Sequence, residues 1–344
     1  MTHVLVARLD NDGDVLLAGP AVRAVAAGAT RVTLLVGPRG RAAAELLPGV
    51  DAIVEHRAEW IDPEPSPLDP ARTLAFADRL RDLAIDRAIV LGSFHQSPLP
   101  LALLLRLAGV PWVGATSVDY PGSLLDLRHR IDDDAHEVDR SLDLVAAAGF
   151  PLPDDDDGAL EVMPGDDDLP DLPDEYVVVH PGASVPARAW PAERHGALVE
   201  ALAPSVPVVV TGGPGERGLT ARVAGGTPGV VDLGGRTSLG GLARVLAGAR
   251  ALVVGNTGPA HLAAAAGCPV VWLHAPTVPA VRWRPWRVPH VVVAREVPCA
   301  GCRARVCPVP GHPCMTDIGV PEVLAALGGL LGATREPAGA GVPA

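Results

Sequence analysis

Residues 255–277, GNTGPAHLAAAAGCPVVWLHAPT, restrict the fold more than any other stretch of this chain. They read in order as the end of a strand, a tight turn, an alanine-rich helix and a second strand. Gly255 and Gly258 permit the sharp turn, and Thr257 is a residue type that caps helices. The N–H groups of the first helical turn would then bind an anion, and a diphosphate is the natural ligand. A βαβ turn that binds nothing explains the same residues equally well.

Length and composition favour an α/β protein of two domains. The 344 residues suffice for two domains of ordinary size, and only two Tyr, three Phe and six Trp interrupt an aliphatic sequence. No run of about 20 uncharged apolar residues is present, and the chain opens on a strand-like segment, HVLVARLD, instead of a basic signal peptide. We therefore expect a soluble, cytoplasmic protein with at most peripheral membrane contact.

The formal net charge of −12 argues against general nucleic-acid binding, which needs a basic surface. Much of the acidity is concentrated in three clusters, at residues 132–134, 154–157 and 166–168. The sequence contains no lysine, so all 28 cationic side chains are arginines. Any phosphate or carboxylate held by a cation in this protein is therefore held by a planar guanidinium group.

Two series of strands and helices follow one another along the chain. Strands are predicted at residues 4–9, 31–37, 88–93 and 111–115, and then at 176–182, 206–213, 230–235, 251–256, 269–275 and 289–294. Glycine-containing turns and helical runs separate the strands, which is the pattern of a doubly wound parallel sheet. An acidic, proline-rich stretch between the two series has too little apolar surface to form a core. The predicted organisation is a domain at 1–152, a linker at 153–174, a domain at 175–330 and a disordered tail at 331–344.

Three strand-to-helix turns of the second domain should open at one edge of its sheet, because parallel strands all end on the same side. These turns are residues 180–191, residues 211–218 and the turn that begins at Gly255. In the first turn, Ser184 and loop N–H groups could hold phosphate oxygens while Arg188 supplies a cation. Glu216, in the second turn, suits the two neighbouring hydroxyls of a ribose. Together the three turns predict a nucleotide site.

The first domain carries three aspartates, Asp10, Asp12 and Asp14, in the turn after its first strand. Their spacing is similar to a calcium loop, but the glycine and the distal glutamate of that motif are misplaced, so we expect no metal there. Asp12 or Asp14 fits the role of a helix cap. The alternative role is that of a general base opposite the bound nucleotide, and Gly13 favours Asp14 for it.

Four segments together resemble glycosyltransferase family 9, the ADP-heptose:lipopolysaccharide heptosyltransferases. They are GDVLLAGPAV, the HPGAS loop with RAWP after it, the glycine-rich turn with Glu216, and NTGPAHLAAAAGCPVV followed by HAPT. The resemblance extends over residues 4–325. It implies a GT-B fold, in which two Rossmann-like doubly wound domains face a deep cleft, with the acceptor on the first domain and the nucleotide-sugar donor on the second. It also implies inverting transfer that requires neither a catalytic cofactor nor a metal.

The resemblance also assigns roles to particular residues. The aspartate of the family's GDV motif falls on Asp14, the basic residue before WP on Arg188, and the ribose-binding acid on Glu216. The donor-contacting turn falls on Asn256, Thr257, Gly258 and His261. The family commonly has Asp where this chain has Asn256, which leaves the donor sugar open, and commonly has Lys where this chain has Arg188. His261 fits either a diphosphate contact or a packed core histidine.

These observations predict an inverting glycosyltransferase. It would move heptose or a related sugar from a nucleoside-diphosphate sugar, with ADP-heptose as the first choice, to a hydroxyl of a glycan or glycolipid. Asp14 would deprotonate the acceptor, while Arg188, Ser184 and the helix start at Thr257 stabilise the departing nucleoside diphosphate. A sugar-nucleotide epimerase or hydrolase on the same scaffold and a non-catalytic nucleotide-sugar-binding protein are the alternatives.

Four cysteines lie close together near the end of the second predicted domain. They are Cys299, Cys302, Cys307 and Cys314, and His312 lies among them. Four close thiols in a cytosolic protein favour a metal over disulfides, and a structural zinc is the leading single hypothesis. The spacings match no standard zinc finger, so reduced thiols and a strained disulfide stay open.

Overall fold

The structure is a computed structural model that describes residues 2–93, 95–132 and 134–333. The chain forms two compact units, Met1–Met163 and Pro164–Ala344. Asp133 of the first acidic cluster and residues 334–344 of the predicted tail lie outside the described residues. The first residues of that predicted tail instead complete the last helix, which continues through Ala333 because Leu330 packs in the core and maintains its register.

The first unit contains, among its described residues, an all-parallel sheet of six strands. The strands are β1 (His3–Arg8), β2 (Arg31–Val36), β3 (Ala52–Glu55), β4 (Arg87–Val90), β5 (Trp112–Thr116) and β6 (Leu127–His129). The helices are α1 (Asp12–Leu17), α2 (Gly19–Gly28), α3 (Arg41–Ala44), α4 (Pro70–Asp82), α5 (Leu99–Leu107) and α6 (Glu137–Ala147). The strand order is β3-β2-β1-β4-β5-β6, so the order reverses between β1 and β4.

The second unit repeats this architecture within the described part of the chain. Its strands are β7 (Val177–His180), β8 (Val208–Val210), β9 (Val230–Asp232), β10 (Ala251–Gly255), β11 (Val270–His274) and β12 (His290–Ala294). Its helices are α7 (Ala192–Leu202), α8 (Arg217–Ala224), α9 (Leu239–Ala247), α10 (Gly258–Ala265), α11 (Ala280–Trp283), α12 (Pro313–Thr316) and α13 (Val320–Ala333). The order β12-β11-β10-β7-β8-β9 places the reversal between β7 and β10. No helix among the described residues has the length and apolar composition that crossing a bilayer requires.

Burial helps to explain which strands could be predicted from the sequence. Every predicted strand is present, and central strands such as β10 and β11 are buried at every residue, because helices cover both faces of a parallel sheet. The two edge strands of the first sheet, β3 and β6, were not predicted from the sequence. The β3 residues AIVE are at most partly buried, and β6, with the sequence LRH, has one apolar residue. Partial burial alone does not decide the outcome, since β9, whose residues are also only partly buried, was predicted from its VVD sequence.

The acidic stretch predicted as the linker is fastened to each unit by one of its acid clusters. Arg23 on α2 donates to Asp156 from Nε at 2.7 Å and from Nη2 at 2.8 Å, and Nη2 also donates to the Ala159 carbonyl. Further along, Asp167 accepts hydrogen bonds from the N–H and the hydroxyl of Ser238, the N-cap residue of α9. The boundary between the two units falls between these two anchors.

The substitution Asp156→Asn should lower the free energy of unfolding by about 1 kcal/mol at neutral pH, because it removes a bidentate, charge-assisted pair. The hydrogen bonds from Arg23 lower the pKa of Asp156. Its stabilisation is therefore complete above the unfolded-chain aspartate pKa of about 4 and is lost as pH falls through the lower folded value. Urea unfolding at about pH 7 and about pH 3 measures this loss. Asp155→Asn, at an exposed carboxylate of the same cluster, is the control, and an equal effect of both substitutions would contradict the anchor.

Candidate functional site

Glu216 lies where the loop after β8 meets the loop after β7. It ends the 3-10 turn Pro214–Glu216, and its Oε2 accepts a hydrogen bond of 2.7 Å from the Gly213 N–H. The loop after β7 approaches it at Gly182, where a β-carbon would lie 2.1 Å from Glu216 Oε1, so that any larger residue would displace the carboxylate from this position. The Glu216 side chain is 30% exposed. The carboxylate is therefore available to a ligand at this edge of the second sheet.

His180, the last residue of β7, lies next to this carboxylate. Its Nε2 is 3.9 Å from Glu216 Oε2, and its Nδ1 shares a hydrogen bond of 3.0 Å with Thr211 Oγ1. Burial lowers the pKa of His180, although the negative charge of Glu216 opposes this effect. A neutral imidazole cannot form a full ion pair with Glu216, so the carboxylate can still accept hydrogen bonds from a ligand.

Arg188 extends the loop after β7 to the ends of β10 and β11. It closes the 3-10 turn Pro186–Arg188, and its Nε donates a hydrogen bond of 3.3 Å to Thr277 Oγ1. Its carbonyl oxygen lies 3.2 Å from the position that a β-carbon on Gly255 would occupy. Glu216 and Arg188 therefore lie at the same carboxyl edge, on the two sides of the crossover between β7 and β10.

Asn256, which we expected to contact the donor sugar, has its side chain on the backbone of Ala275. The Nδ2 atom donates to the Ala275 carbonyl at 3.3 Å, and Oδ1 accepts from the Ala275 N–H at 3.4 Å. The side chain is buried. An amide can make both contacts at once, whereas an ionised carboxylate has no proton to donate. Asn256 thus fastens the loop after β10 to the end of β11, and its contact with a donor stays a prediction.

The start of α10 offers fewer free N–H groups than the sequence suggested. Thr257 is the N-cap residue but makes no side-chain capping hydrogen bond. Its N–H donates to the Gly255 carbonyl at 2.9 Å, and the Ala260 N–H donates to the Thr257 carbonyl at 3.0 Å. Pro259 has no N–H to offer. Gly258 is therefore the residue of the first turn whose N–H we expect to contact a diphosphate.

Two further residues predicted to bind the donor differ in exposure. Ser184 is exposed in the loop after β7, where a phosphate oxygen could reach its hydroxyl. His261 is buried on α10 among Ala260, Leu262 and Ala263, which are also buried. A packed core histidine requires such burial, and the diphosphate contact of His261 stays a prediction.

Asp14 lies at the crossover of the first unit. It belongs to the first turn of α1, and its Oδ1 accepts a hydrogen bond of 3.0 Å from Nη2 of Arg8, the last residue of β1. Asp12 has a structural contact instead, because its Oδ1 accepts a hydrogen bond of 3.0 Å from the Ala43 N–H on α3. Neither aspartate caps α1, whose N-cap residue is Asn11. Asp14, the general base predicted from the sequence, thus accepts a hydrogen bond from Arg8.

The four clustered cysteines are free thiols, as is Cys268. Burial, with the neighbouring Cys307, Cys299 and Cys302, raises the pKa of Cys314, so the four thiols lie near one another. Within residues 2–93, 95–132 and 134–333, however, no group of three or more His, Cys, Asp or Glu side chains could hold a metal ion. The predicted zinc at Cys299, Cys302, Cys307 and Cys314 is therefore not confirmed, and the predicted disulfide is not formed.

The backbone of this cysteine-rich segment forms hydrogen bonds with the loops that surround Arg188. The Gly301 N–H donates to the Pro276 carbonyl at 2.7 Å, and the Arg303 N–H donates to the Thr277 carbonyl at 3.0 Å. The Ala187 N–H in turn donates to the Arg305 carbonyl at 2.9 Å. The segment thus supports the loops after β7 and β11 through its backbone.

Five residues at these two crossovers were not predicted from the sequence. They are Arg8, Ser93, Glu137, His180 and Thr277. Arg8 and His180 carried a usable signal, since each is a polar residue at the end of an otherwise apolar strand. Glu137 carried none, because it lies 129 positions from Arg8 and no local pattern connects them.

Two Rossmann-like units with the same strand order are the architecture of the GT-B class of fold. The sequence profile of glycosyltransferase family 9 (heptosyltransferase) matches residues 73–312, well over half of the chain. This chain belongs to glycosyltransferase family 9.

Particular relatives agree with this assignment. Lipopolysaccharide heptosyltransferase 1 of Pseudomonas aeruginosa is 35% identical over 176 residues, which are 50% of this chain and 48% of that protein, so the chain matches about half the length of this curated relative. The family 9 glycosyl transferase of Veillonella parvula has a TM-score of 0.76 at 18% identity, covering 96% of this chain and 97% of that one. E. coli heptosyltransferase WaaC with ADP-2-deoxy-2-fluoro heptose has a TM-score of 0.70 at 22% identity, covering 95% and 99%. The two structural likenesses show the fold.

The substitution Asn256→Asp should lower the free energy of unfolding by about 1–2 kcal/mol at about pH 8, because a carboxylate would then lie against the Ala275 carbonyl. Burial would raise the folded pKa of the new aspartate above its unfolded value of about 4, so the variant should lose stability as pH rises through the folded pKa and regain most of it near pH 4 or below. Urea unfolding across this range is the measurement. Asn11→Asp, at the exposed asparagine, is the matched control, and equal stability of wild type and Asn256→Asp at about pH 8 would rule out the backbone clamp.

Proposed function

We propose that this chain is an inverting glycosyltransferase that uses a nucleoside-diphosphate sugar. The donor is ADP-heptose or a related sugar nucleotide, and the acceptor is a hydroxyl of a glycan or glycolipid. The observation that carries the proposal is the course of the loop after β7, which approaches Glu216 at Gly182 and Thr277 at Arg188. A single loop therefore connects a group suited to a ribose with a group suited to a diphosphate.

The second unit binds the donor in this proposal. Glu216 accepts hydrogen bonds from the two ribose hydroxyls, which need an acceptor and not a cation. Arg188 and the Gly258 N–H stabilise the diphosphate, and Ser184 donates a further hydrogen bond to it. Negative charge accumulates on the diphosphate as it departs, so these contacts strengthen in the transition state.

Asp14 of the first unit acts as the general base. The acceptor oxygen attacks the anomeric carbon from the side opposite the diphosphate, and its proton passes to the Asp14 carboxylate. The new carbon–oxygen bond forms as the bond to the diphosphate breaks, and the nucleoside diphosphate leaves with that electron pair. A single displacement of this kind inverts the configuration of the anomeric carbon.

Membership of family 9 and the identity of its relatives support this proposal. The P. aeruginosa relative is a lipopolysaccharide heptosyltransferase, and the E. coli WaaC structure holds an ADP-heptose analogue. These names favour adenine as the base, heptose as the sugar and a glycolipid as the acceptor. An epimerase or a hydrolase would instead change the donor sugar when no acceptor is present.

Binding of ADP tests the donor site. Thermal-shift and calorimetric measurements should rank ADP above UDP and GDP. The substitution Glu216→Gln should weaken ADP binding about tenfold, because an uncharged amide is the weaker acceptor. The same substitution should leave binding of 2′,3′-dideoxy-ADP unchanged, since that nucleotide lacks both ribose hydroxyls. Glu193→Gln, at an exposed glutamate of α7, is the control. An equal loss of affinity for both nucleotides would rule out a contact between Glu216 and the ribose hydroxyls.

Turnover with donor and acceptor tests the base. The substitution Asp14→Asn should lower kcat by about 10²–10⁴ and leave ADP affinity unchanged, because the general base acts only in the chemical step. Asp12→Asn makes the same change two positions away and keeps an oxygen for the Ala43 N–H, so it should retain full turnover. Full turnover by Asp14→Asn would refute the mechanism. Sugar released from the donor without acceptor would favour the hydrolase.

A further inference from the structure

Arg8 is a buried cation of the first unit, and three carboxylates surround it. It is the last residue of β1, and its side chain is 2% exposed. Its Nε lies 2.8 Å from Asp10 Oδ2, and its Nη2 donates to Asp14 Oδ1 at 3.0 Å. Both Nη atoms donate to Glu137 Oε2 at 3.3 Å. A single guanidinium therefore joins the end of β1, the start of α1 and the start of α6.

The partners of Arg8 come from other parts of the first unit, and one of them lies across the crossover. Its Nη2 also donates a hydrogen bond of 2.8 Å to the hydroxyl of Ser93, which follows β4. Glu137 is the first residue of α6, where the helix dipole stabilises its carboxylate, and its Oε1 lies 3.6 Å from Arg140 Nε. Asp10 accepts a hydrogen bond from Gln96 Nε2. Glu137 therefore reaches the guanidinium from the start of a helix, whereas Ser93 and Asp10 reach it from the loops that follow β4 and β1.

The three carboxylates differ in their access to solvent. The side chains of Glu137 and Asp10 are 1% and 7% exposed, whereas that of Asp14 is 20% exposed. Burial raises the pKa of Asp10 to about 6 although Arg8 opposes it, and burial also raises the pKa of Glu137. Asp10 and Glu137 therefore lie behind Arg8, and Asp14 is the carboxylate that a substrate can reach.

We propose that Arg8, anchored by Glu137 and Ser93, is the positioning residue that fixes the Asp14 carboxylate for proton transfer by charge and by a hydrogen bond. This inference rests on the proposed function, because it requires Asp14 to act as the base. Arg8 attracts the negative charge on Asp14, and Asp10 and Glu137 oppose that charge from β1 and α6. Further cations nearby include Arg140 on α6, together with Arg39 and Arg57, which line a pocket with Asp10.

The test is the pH dependence of kcat for transfer. Glu137→Gln removes a negative charge behind Arg8, so the acidic limb of the profile should move to lower pH by about 0.5–1 unit. Arg8→Gln removes the cation, so the limb should move to higher pH by about 1 unit or more, with a lower kcat. Arg8→Lys keeps the charge but loses the planar fork, so kcat should fall about 10–100-fold with little movement of the limb. A purely structural role predicts no opposite movements.

Glu45→Gln is the matched control, since its exposed partner is Arg41 on α3 and its profile should equal that of wild type. Should Arg8→Gln fail to fold, Glu137→Gln and Arg8→Lys still decide the question. An unmoved limb in Glu137→Gln together with wild-type kcat in Arg8→Lys would overturn the inference while the proposed function stands. A wild-type chain that transfers no sugar would overturn the proposed function, and this inference with it.

Discussion

The reversal of strand order at the centre of each sheet is the constraint on which both candidate sites depend. The loops that follow β1 and β4, and those that follow β7 and β10, turn to opposite faces of their sheets, which opens a crevice at the carboxyl edge. Arg8 and Ser93 meet across the first crossover at 2.8 Å. The loop after β7 reaches Gly255 across the second. Strand order, and not closeness in sequence, therefore makes these residues neighbours.

The charged side chains at the two crossovers have opposite kinds of surroundings. The first buries a guanidinium among three carboxylates, a type of arrangement that apolar clusters of equal volume often match or exceed in stability. The pKa of about 6 at Asp10 shows how strongly burial opposes a further charge there. The second crossover surrounds Glu216 with Gly182, Gly212 and the neutral ring of His180, so little besides backbone lies against the carboxylate. A rigid charged cluster suits a group that must keep one position, and an open glycine-lined edge suits a group that binds a ligand.

Much of this could be predicted from the sequence, because buried strands and glycine turns are local patterns. Every central strand was predicted, as were the turns that carry Glu216 and Arg188. The direction of the Asn256 side chain was not, since it depends on Ala275 at the end of the next strand. The N–H groups of α10 were overestimated because Pro259 and two turn hydrogen bonds remove them. Glu137 was missed since its partner Arg8 is distant in sequence, and only the sheet topology relates them.

Because the sequence contains no lysine, the cation at each of the contacts described for Arg8 and Arg23 is a guanidinium. Arg8 contacts three carboxylates through three different nitrogens, and Arg23 binds one carboxylate through two. A single ammonium nitrogen could not reach these partners at the same time. The net charge of −12 thus includes acid clusters that arginines and helix starts neutralise locally, as at Asp156 and Asp167. Because a guanidinium stays protonated wherever the protein is folded, each of these anchors responds to pH through its carboxylate alone.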